Sequence, residues 1–313
     1  MEVNVLKKYI ISNFLFTLSF LIIFTPLCYI LYNYILSFDV PFVAAKEPLS
    51  DANISSISIN RNFSDFEEYA DKVTVLMYHQ IIPENQLKNH HFTESGDIID
   101  EVVTLEQFIE QMNYLKDQNY TVLSLKEFES FMNNQKEVPA KSVLITFDDG
   151  YKNIFEFAYP ILQNHGYNAV NFIITSLITE KNILYNPLDH QYASIEELKE
   201  AADVFDYENH THSFHKIYDN GESYLVLYEV EKVKADIAKA KEWLGNSIAF
   251  AAPYGNYNTN TLDILRELDI KMAFTIKPGY AESSQHILEI PRQGIYPFYA
   301  LKDFKYILEQ STN

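Results

Sequence analysis

Hydrophobic and polar positions fall into three regimes along the 313-residue chain. From Tyr9 to Phe38, YIISNFLFTLSFLIIFTPLCYILYNYILSF, apolar residues run on without one charge. Residues 39–71 are polar, rich in Ser and Asn, and weakly patterned, as a linker would be. From Val73 onward, short apolar runs rich in β-formers alternate with segments of helical periodicity. The runs that predict strands are VTVLMYH (73–79), YTVLSL (120–125), SVLITFDD (142–149), NAVNFIIT (168–175), VFDYENH (204–210), IAFAAP (248–253), MAFTI (272–276) and HILEIPRQGI (286–295). Between them, Thr104 with Gln107 and Ser194 with Glu197 have the spacing of helix-opening capping boxes. Helices are also expected over 223–244, 259–268 and 300–310.

Repeated strand–helix units predict a parallel sheet, and this many of them favour a (β/α) barrel over an open doubly wound sheet. The chain has only eight glycines and no G-x-G-x-x-G loop, which argues against the open form with a dinucleotide site. The uncharged run is long enough for a membrane helix, which needs roughly 20 apolar residues. Lys7 and Lys8 precede it and Asp39 follows it, so the positive-inside rule puts residues 1–8 in the cytoplasm and the remainder outside. VAAK (43–46) resembles a signal-peptidase site, but the apolar core of a signal peptide is usually about 7 to 15 residues. The expected organisation is therefore a single-pass transmembrane anchor over 9–38, an extracellular linker over 39–71, and one domain over 72–313.

Composition narrows the picture further. The net charge of −19, from 43 acidic and 24 basic residues, excludes nucleic-acid binding through a general basic surface. The one cysteine, Cys28, falls within the apolar run, which rules out an intrachain disulfide framework and a Cys-rich zinc site.

The candidate chemistry gathers at strand ends. TFDDG (146–150) closes a strand with two adjacent carboxylates. On a straight strand they would face opposite sides, but Gly150 lets the chain turn so that both reach one site. The same residues would also make an ordinary turn, with Asp148 capping the next helix. HTHSFH (210–215) closes another strand with His210, His212 and His215. A carboxylate and two imidazoles form a common ligand set for a catalytic divalent ion. His79 ends the first strand, and Pro253, Tyr254 and Gly255 make a tight loop after another. In barrels of this kind active sites are built from several strand tips at this end.

TFDDG, HTHSFH and FAAPYGNYN (250–258) together resemble the polysaccharide deacetylases (NodB-homology, carbohydrate esterase family 4) over roughly residues 73–300. The resemblance implies a distorted (β/α) barrel. The histidines of the family's second motif are four apart; here His210 and His215 are five apart. That spacing and the early Tyr78-His79 resemble the branch that deacetylates poly-β-1,6-N-acetyl-D-glucosamine in biofilm matrices. The resemblance then assigns Asp149, His210 and His215 to one divalent metal, zinc first, with cobalt or nickel also suited. It assigns Asp148 to the general base, His79 to the general acid, and the Tyr254 N–H to the oxyanion. Pro253, Gly255, Tyr257 and Arg292 are expected at the substrate. Where many members carry an arginine near the base, this chain has Ala251, and Arg292 is the candidate replacement. The implied setting is the cell surface, with an N-acetylglucosamine polymer, the cell membrane and the machinery that makes and exports the polymer as partners. The alternatives are a peptidoglycan N-acetylglucosamine deacetylase and a non-catalytic glycan-binding module.

Overall fold

The computed structural model describes residues 13–29, 42–52, 59–245 and 247–312. The chain separates into two compact units, Met1–Phe42 and Val43–Asn313. In the first, residues 13–29 form helix α1, whose apolar side chains, such as Phe14 (65% exposed) and Ile23, are uncovered. No helix among the described residues is long and apolar enough to cross a membrane. The remainder of the expected span, 9–12 and 30–38, lies outside the described residues, as does the expected cytoplasmic stretch 1–8.

The second unit carries the strands β1 (Lys72–Tyr78), β2 (Gln80–Ile82), β3 (Val102–Thr104), β4 (Thr121–Val122), β5 (Ser142–Asp149), β6 (Ala169–Ile173), β7 (Phe205–Asn209), β8 (Ala249–Ala251), β9 (Met272–Phe274), β10 (Ala281–Glu282) and β11 (Gln293–Gly294). Its helices are α2 (Leu105–Asp117), α3 (Leu125–Met132), α4 (Tyr159–His165), α5 (Ile195–Glu200), α6 (Tyr224–Leu227), α7 (Val230–Leu244), α8 (Thr259–Glu267) and α9 (Leu301–Thr312). The main sheet runs β10-β1-β5-β6-β7-β8-β9, with β11 beside β1, β4 beside β5, and β2–β3 as a separate pair. All pairings in it are parallel except β10 with β1.

The sheet is curled into a half-barrel rather than a full ring of paired strands. Between β9 and β1 lies the stretch expected as a strand over 286–295, and it pairs only in pieces. Ile290 bridges to Phe274, while the Ile295 N–H donates to Met77 O at 3.0 Å. Pro291 lacks an N–H for the ladder, so an irregular segment fills this seam.

Alternation along β5 explains how the site is placed. All eight of its residues are buried, as expected for a parallel strand covered on both faces. Val143, Ile145 and Phe147 pack outward with Phe108, Met112 and Leu115 of α2. Leu144 packs inward with Val75, Phe172 and Phe274. Thr146 and Asp148 share the inward parity, so the last step of the strand delivers a carboxylate to the interior at its carboxyl end.

Both expected capping boxes form: the N–H groups of Gln107 and Glu197 donate to the Thr104 and Ser194 hydroxyls, each at 3.2 Å. A third, Ser124 with Glu127, opens α3. The helix expected over 223–244 breaks into α6 and α7, because the backbone is extended at Tyr228. There the Tyr228 ring turns onto Phe214 and Tyr224, at 4.9 and 4.7 Å. Within the polar stretch 39–71, the Ala45 N–H donates to Ile178 O, Arg61 pairs with Glu127, and Leu49 and Phe63 are buried in the domain.

Candidate metal site and catalytic centre

The turn after β5 uses backbone strain to bring two neighbouring carboxylates together. Asp149 adopts φ 76°, a left-handed conformation that costs a non-glycine residue about 1 kcal/mol. Gly150 follows at φ 77°, and a Cβ there would stand 2.8 Å from Ile173 Cγ2, so only glycine fits. Asp149 is thereby redirected from the outer face, and its carboxylate meets the histidines that follow β7.

His210 is buried, and its Nδ1 lies 2.8 Å from Ala251 O. That contact makes Nδ1 the protonated nitrogen and leaves a lone pair on Nε2. Thr211 turns the chain at φ 72°, its N–H held by Asn209 Oδ1. The N–H groups of His212 and Ser213 both donate to Asp236 of α7 at 2.9 Å, which fixes the loop. His215 then comes back over the site. Its Nε2 is 3.0 Å from Asp149 Oδ1, and that of His210 is 3.3 Å away. His212 turns aside, its Nδ1 2.9 Å from Thr175 Oγ1.

The ligand atoms of Asp149, His210 and His215 all lie within 4.8 Å of one another. Asp149 Oδ1 is buried and has no hydrogen-bond partner, although two ring nitrogens approach it. That oxygen and the two ring nitrogens converge on one point, and the O, N, N donor set suits a divalent ion. The residues present therefore fit the metal that the sequence implied. Burial pushes the Asp149 carboxyl up, but His210 and His215 outweigh it and hold it well below the usual carboxylate range.

Asp148 sits beside this cluster with a cation behind it and a histidine in front. Arg292 is fully buried and forks onto it, Nη1 to Oδ1 and Nη2 to Oδ2, both at 2.7 Å. The guanidinium also donates to Thr146 Oγ1 at 3.1 Å and to Thr275 O at 3.0 Å. Burial again raises the Asp148 carboxyl, and the Arg292 charge and hydrogen bonds more than reverse that, so it is ionised. His79 Nε2 stands 3.9 Å from Asp148 Oδ2, with its side chain 24% exposed. Arg292 was expected among the substrate contacts and as the replacement for the arginine that Ala251 does not supply; buried behind Asp148, it fits the second expectation and not the first.

The PYG turn after β8 closes the other side. Tyr254 adopts φ 57°, and a Cβ on Gly255 would fall 2.2 Å from Ile276 Cγ1. The Tyr254 ring lies 4.5 Å from that of His215, and its N–H finds no acceptor among the described residues. Pro253 is buried beneath the turn. Tyr257 faces away: its hydroxyl donates to Glu289 and accepts from Lys277, both at 2.7 Å. One contributor was missed from sequence: Asp236, an acid on the buried stripe of α7.

A carboxylate–imidazole set that could hold a cation, a second aspartate held below its usual range, and a histidine 3.9 Å from it are groups that a hydrolase attacking a carbonyl with water would need. The comparisons with known proteins make that class specific. The family model for polysaccharide deacetylase matches residues 135–273. The poly-beta-1,6-N-acetyl-D-glucosamine N-deacetylase of Staphylococcus aureus is 31% identical over 226 residues, 69% of this chain and 76% of that one. Its namesake in Staphylococcus epidermidis is 27% identical over 267 residues, 82% and 91% of the two chains. The deacetylase PplD of Streptococcus pyogenes, solved with acetate, is 25% identical and superposes with a TM-score of 0.65, covering 78% of this chain and 99% of that one. The chain belongs to the polysaccharide deacetylase family, and it is a hydrolase of carbon–nitrogen bonds that removes acetyl groups from a polysaccharide.

Proposed function

We propose that the protein deacetylates poly-β-1,6-N-acetyl-D-glucosamine of a biofilm matrix, outside the cell, using a divalent ion, zinc first, at Asp149, His210 and His215. The observation that carries the metal is the buried, unpartnered Asp149 Oδ1 between two imidazoles. The polymer is supported by the staphylococcal relatives and by a histidine directly after the first strand, 3.9 Å from the base. A divalent ion held there would polarise the acetyl carbonyl and lower the pKa of a water toward about 7 in the zinc case.

The chain's own groups do the rest. Asp148, kept ionised by Arg292, takes a proton from the attacking water. The Tyr254 N–H points its dipole at the oxyanion that forms on the acetyl oxygen. His79 passes a proton to the sugar nitrogen as the C–N bond breaks, so acetate and a free amine leave. Asp148 and Asp149 are not interchangeable, because one moves protons and the other is a ligand.

The anchor belongs to the same proposal. The uncharged run 9–38 and the exposed apolar face of α1 support attachment to the cell membrane. From there the domain would meet polymer leaving its export machinery. Protease added to intact cells should then remove the domain; full protection would end this placement.

The full chain, incubated with a β-1,6-linked N-acetylglucosamine oligomer and separately with peptidoglycan fragments, tests the chemistry by counting free amines with and without a chelator. Chelator-sensitive release from the first alone is expected. Release from peptidoglycan alone would move the substrate to the cell wall. Release that ignores the chelator would remove the metal from the mechanism. No release from either would favour a glycan-binding module.

A further inference from the structure

The direction of the leaving amine fixes where the sugar ring must lie. In an N-acetyl sugar the amide nitrogen carries the pyranose, and the methyl group lies on the other side of the carbonyl. The group that protonates nitrogen therefore marks the sugar side of the site, and here that group is His79, the residue after β1. β11, the strand paired with β1, leads toward that side.

β11 runs parallel to β1 with Gly294 opposite Met77, and the Ile295 N–H donates to Met77 O. Two residues further in that register, Tyr296 comes level with His79. Alternation puts Arg292, Gly294 and Tyr296 on one face, and Arg292 on that face reaches Asp148. Gly294 has no side chain because the Tyr296 phenol fills its place: a Cβ there would be 2.6 Å from Tyr296 Oη. The Tyr296 ring is stacked on Phe298, centroids 5.3 Å apart and planes within 3°. Phe298 is 68% exposed. Tyr299 braces both rings edge-on at 5.4 and 5.0 Å, and Gln107 Nε2 donates to Pro297 O and Tyr299 O at 2.8 and 3.2 Å. An exposed aromatic would usually be mobile; this pair is held flat.

We infer that the Tyr296–Phe298 pair is the sugar-binding wall of the active site, on which pyranose rings of the polymer stack while His79 meets the amide nitrogen. This rests on the N-acetylglucosamine reading above. The axial C–H groups of a β-linked pyranose present a flat apolar face, and the exposed ring of Phe298, backed by Tyr296, matches it. Stacking at this wall would orient the acetamide toward Asp148 and the metal ligands without touching the reacting atoms.

The test compares a β-1,6-linked N-acetylglucosamine oligomer with 4-nitrophenyl acetate, which has no pyranose, in the full chain. Phe298→Ala and Tyr296→Leu should each raise KM for the oligomer about tenfold, the scale of one lost stacking contact. Their hydrolysis of the aryl acetate should stay within about twofold of the unsubstituted chain. Phe298→Tyr, which keeps a flat ring, should restore the oligomer KM. Equal losses on both substrates would mean that the pair merely supports the fold, and would overturn the inference. So would an unchanged oligomer KM in both variants, and that result would leave the deacetylase reading standing. If the unsubstituted chain releases no amine from the oligomer, the substrate reading itself fails and takes this wall with it.

Discussion

Two acidic pairs are buried in the same sheet, and Asp148 and Asp149 of one shift in the opposite direction from Glu208 of the other. At the tip of β5, Asp148 and Asp149 are held below the usual carboxylate range. On β7, Glu208 is pushed up to about 8, by burial first and by the neighbouring Asp206 among lesser causes. Burial raises the carboxyl in all three cases. The partners make the difference. Asp148 has a bidentate guanidinium and Asp149 has two imidazoles, whereas Glu208 has neutral partners: the Ser247 hydroxyl and the N–H groups of Ile248 and Ala249, the last two at 2.9 and 2.8 Å. Backbone dipoles lower the carboxyl without fully offsetting the burial. A buried acid in this fold is therefore a chemical tool only where a cation has been brought to it. Glu208, with no cation brought to it, is pushed toward the neutral form.

The comparison is broken most severely at the ligand. Asp149→Asn should abolish metal binding, read by elemental analysis of the purified protein, and lower kcat/KM by about 10⁴-fold or more. Asp148→Asn should retain the metal and still lose roughly 10²–10⁴-fold, the contribution of a general base. If both variants lose the metal equally, the two carboxylates share one role and the assignment made here is wrong.

Removing the cation tests the explanation itself. Arg292→Met leaves Asp148 buried without its charge partner, which should cost about 3–5 kcal/mol of stability. The burial of Asp148 then goes unopposed, so its pKa rises. The acid limb of the kcat/KM profile should move to higher pH, and the variant should recover activity only on the alkaline side. Arg292→Lys keeps the charge but loses the fork, and its profile should lie between the two. A profile that does not move would show that something other than Arg292 keeps Asp148 ionised.

The two pairs also differ in how legible they were in the sequence. The strand-tip motifs stood out because histidines are rarely crowded for packing alone, and beside such a loop an Asp-Asp-Gly that could be an ordinary turn reads as part of a site. The strands themselves were marked by their apolar runs, and two helix starts by capping boxes. The Arg292–Asp148 fork spans 144 positions, and no local pattern encodes a contact of that range. His79 and Arg292 also lie outside the 135–273 segment that matches the family. Only the fold, by filling the seam between β9 and β1 with an irregular segment, shows why Arg292 can stand in for the cation that Ala251 does not provide. The separate β2–β3 pair was missed because strands of three residues carry too little period to read. Nor could the sequence show that Asp206 and Glu208 point inward, since VFDYEN alternates as a half-exposed strand would.

The Glu208 end of the comparison gives the smallest effect, and it has the opposite sign. A carboxyl raised from 4.5 to about 8 binds its proton more tightly in the folded chain than in the unfolded one. Its favourable contribution is complete below about pH 4.5. Between that pH and about 8 the unfolded chain sheds the proton while the folded chain must keep it, so stability falls as pH rises. Glu208→Gln fixes the side chain in the neutral form and can still accept from the Ile248 and Ala249 N–H groups. Denaturant unfolding at pH 8 should show the variant about 1–3 kcal/mol more stable than the parent, with the difference closing toward pH 4.5. The same substitution at the other pair, Asp148→Asn, faces Arg292 and should destabilise across that range. If Glu208→Gln also destabilises at pH 8, then Glu208 is ionised in the folded protein. Some cation would then have to reach the lower part of the sheet, and the contrast between the two pairs would disappear.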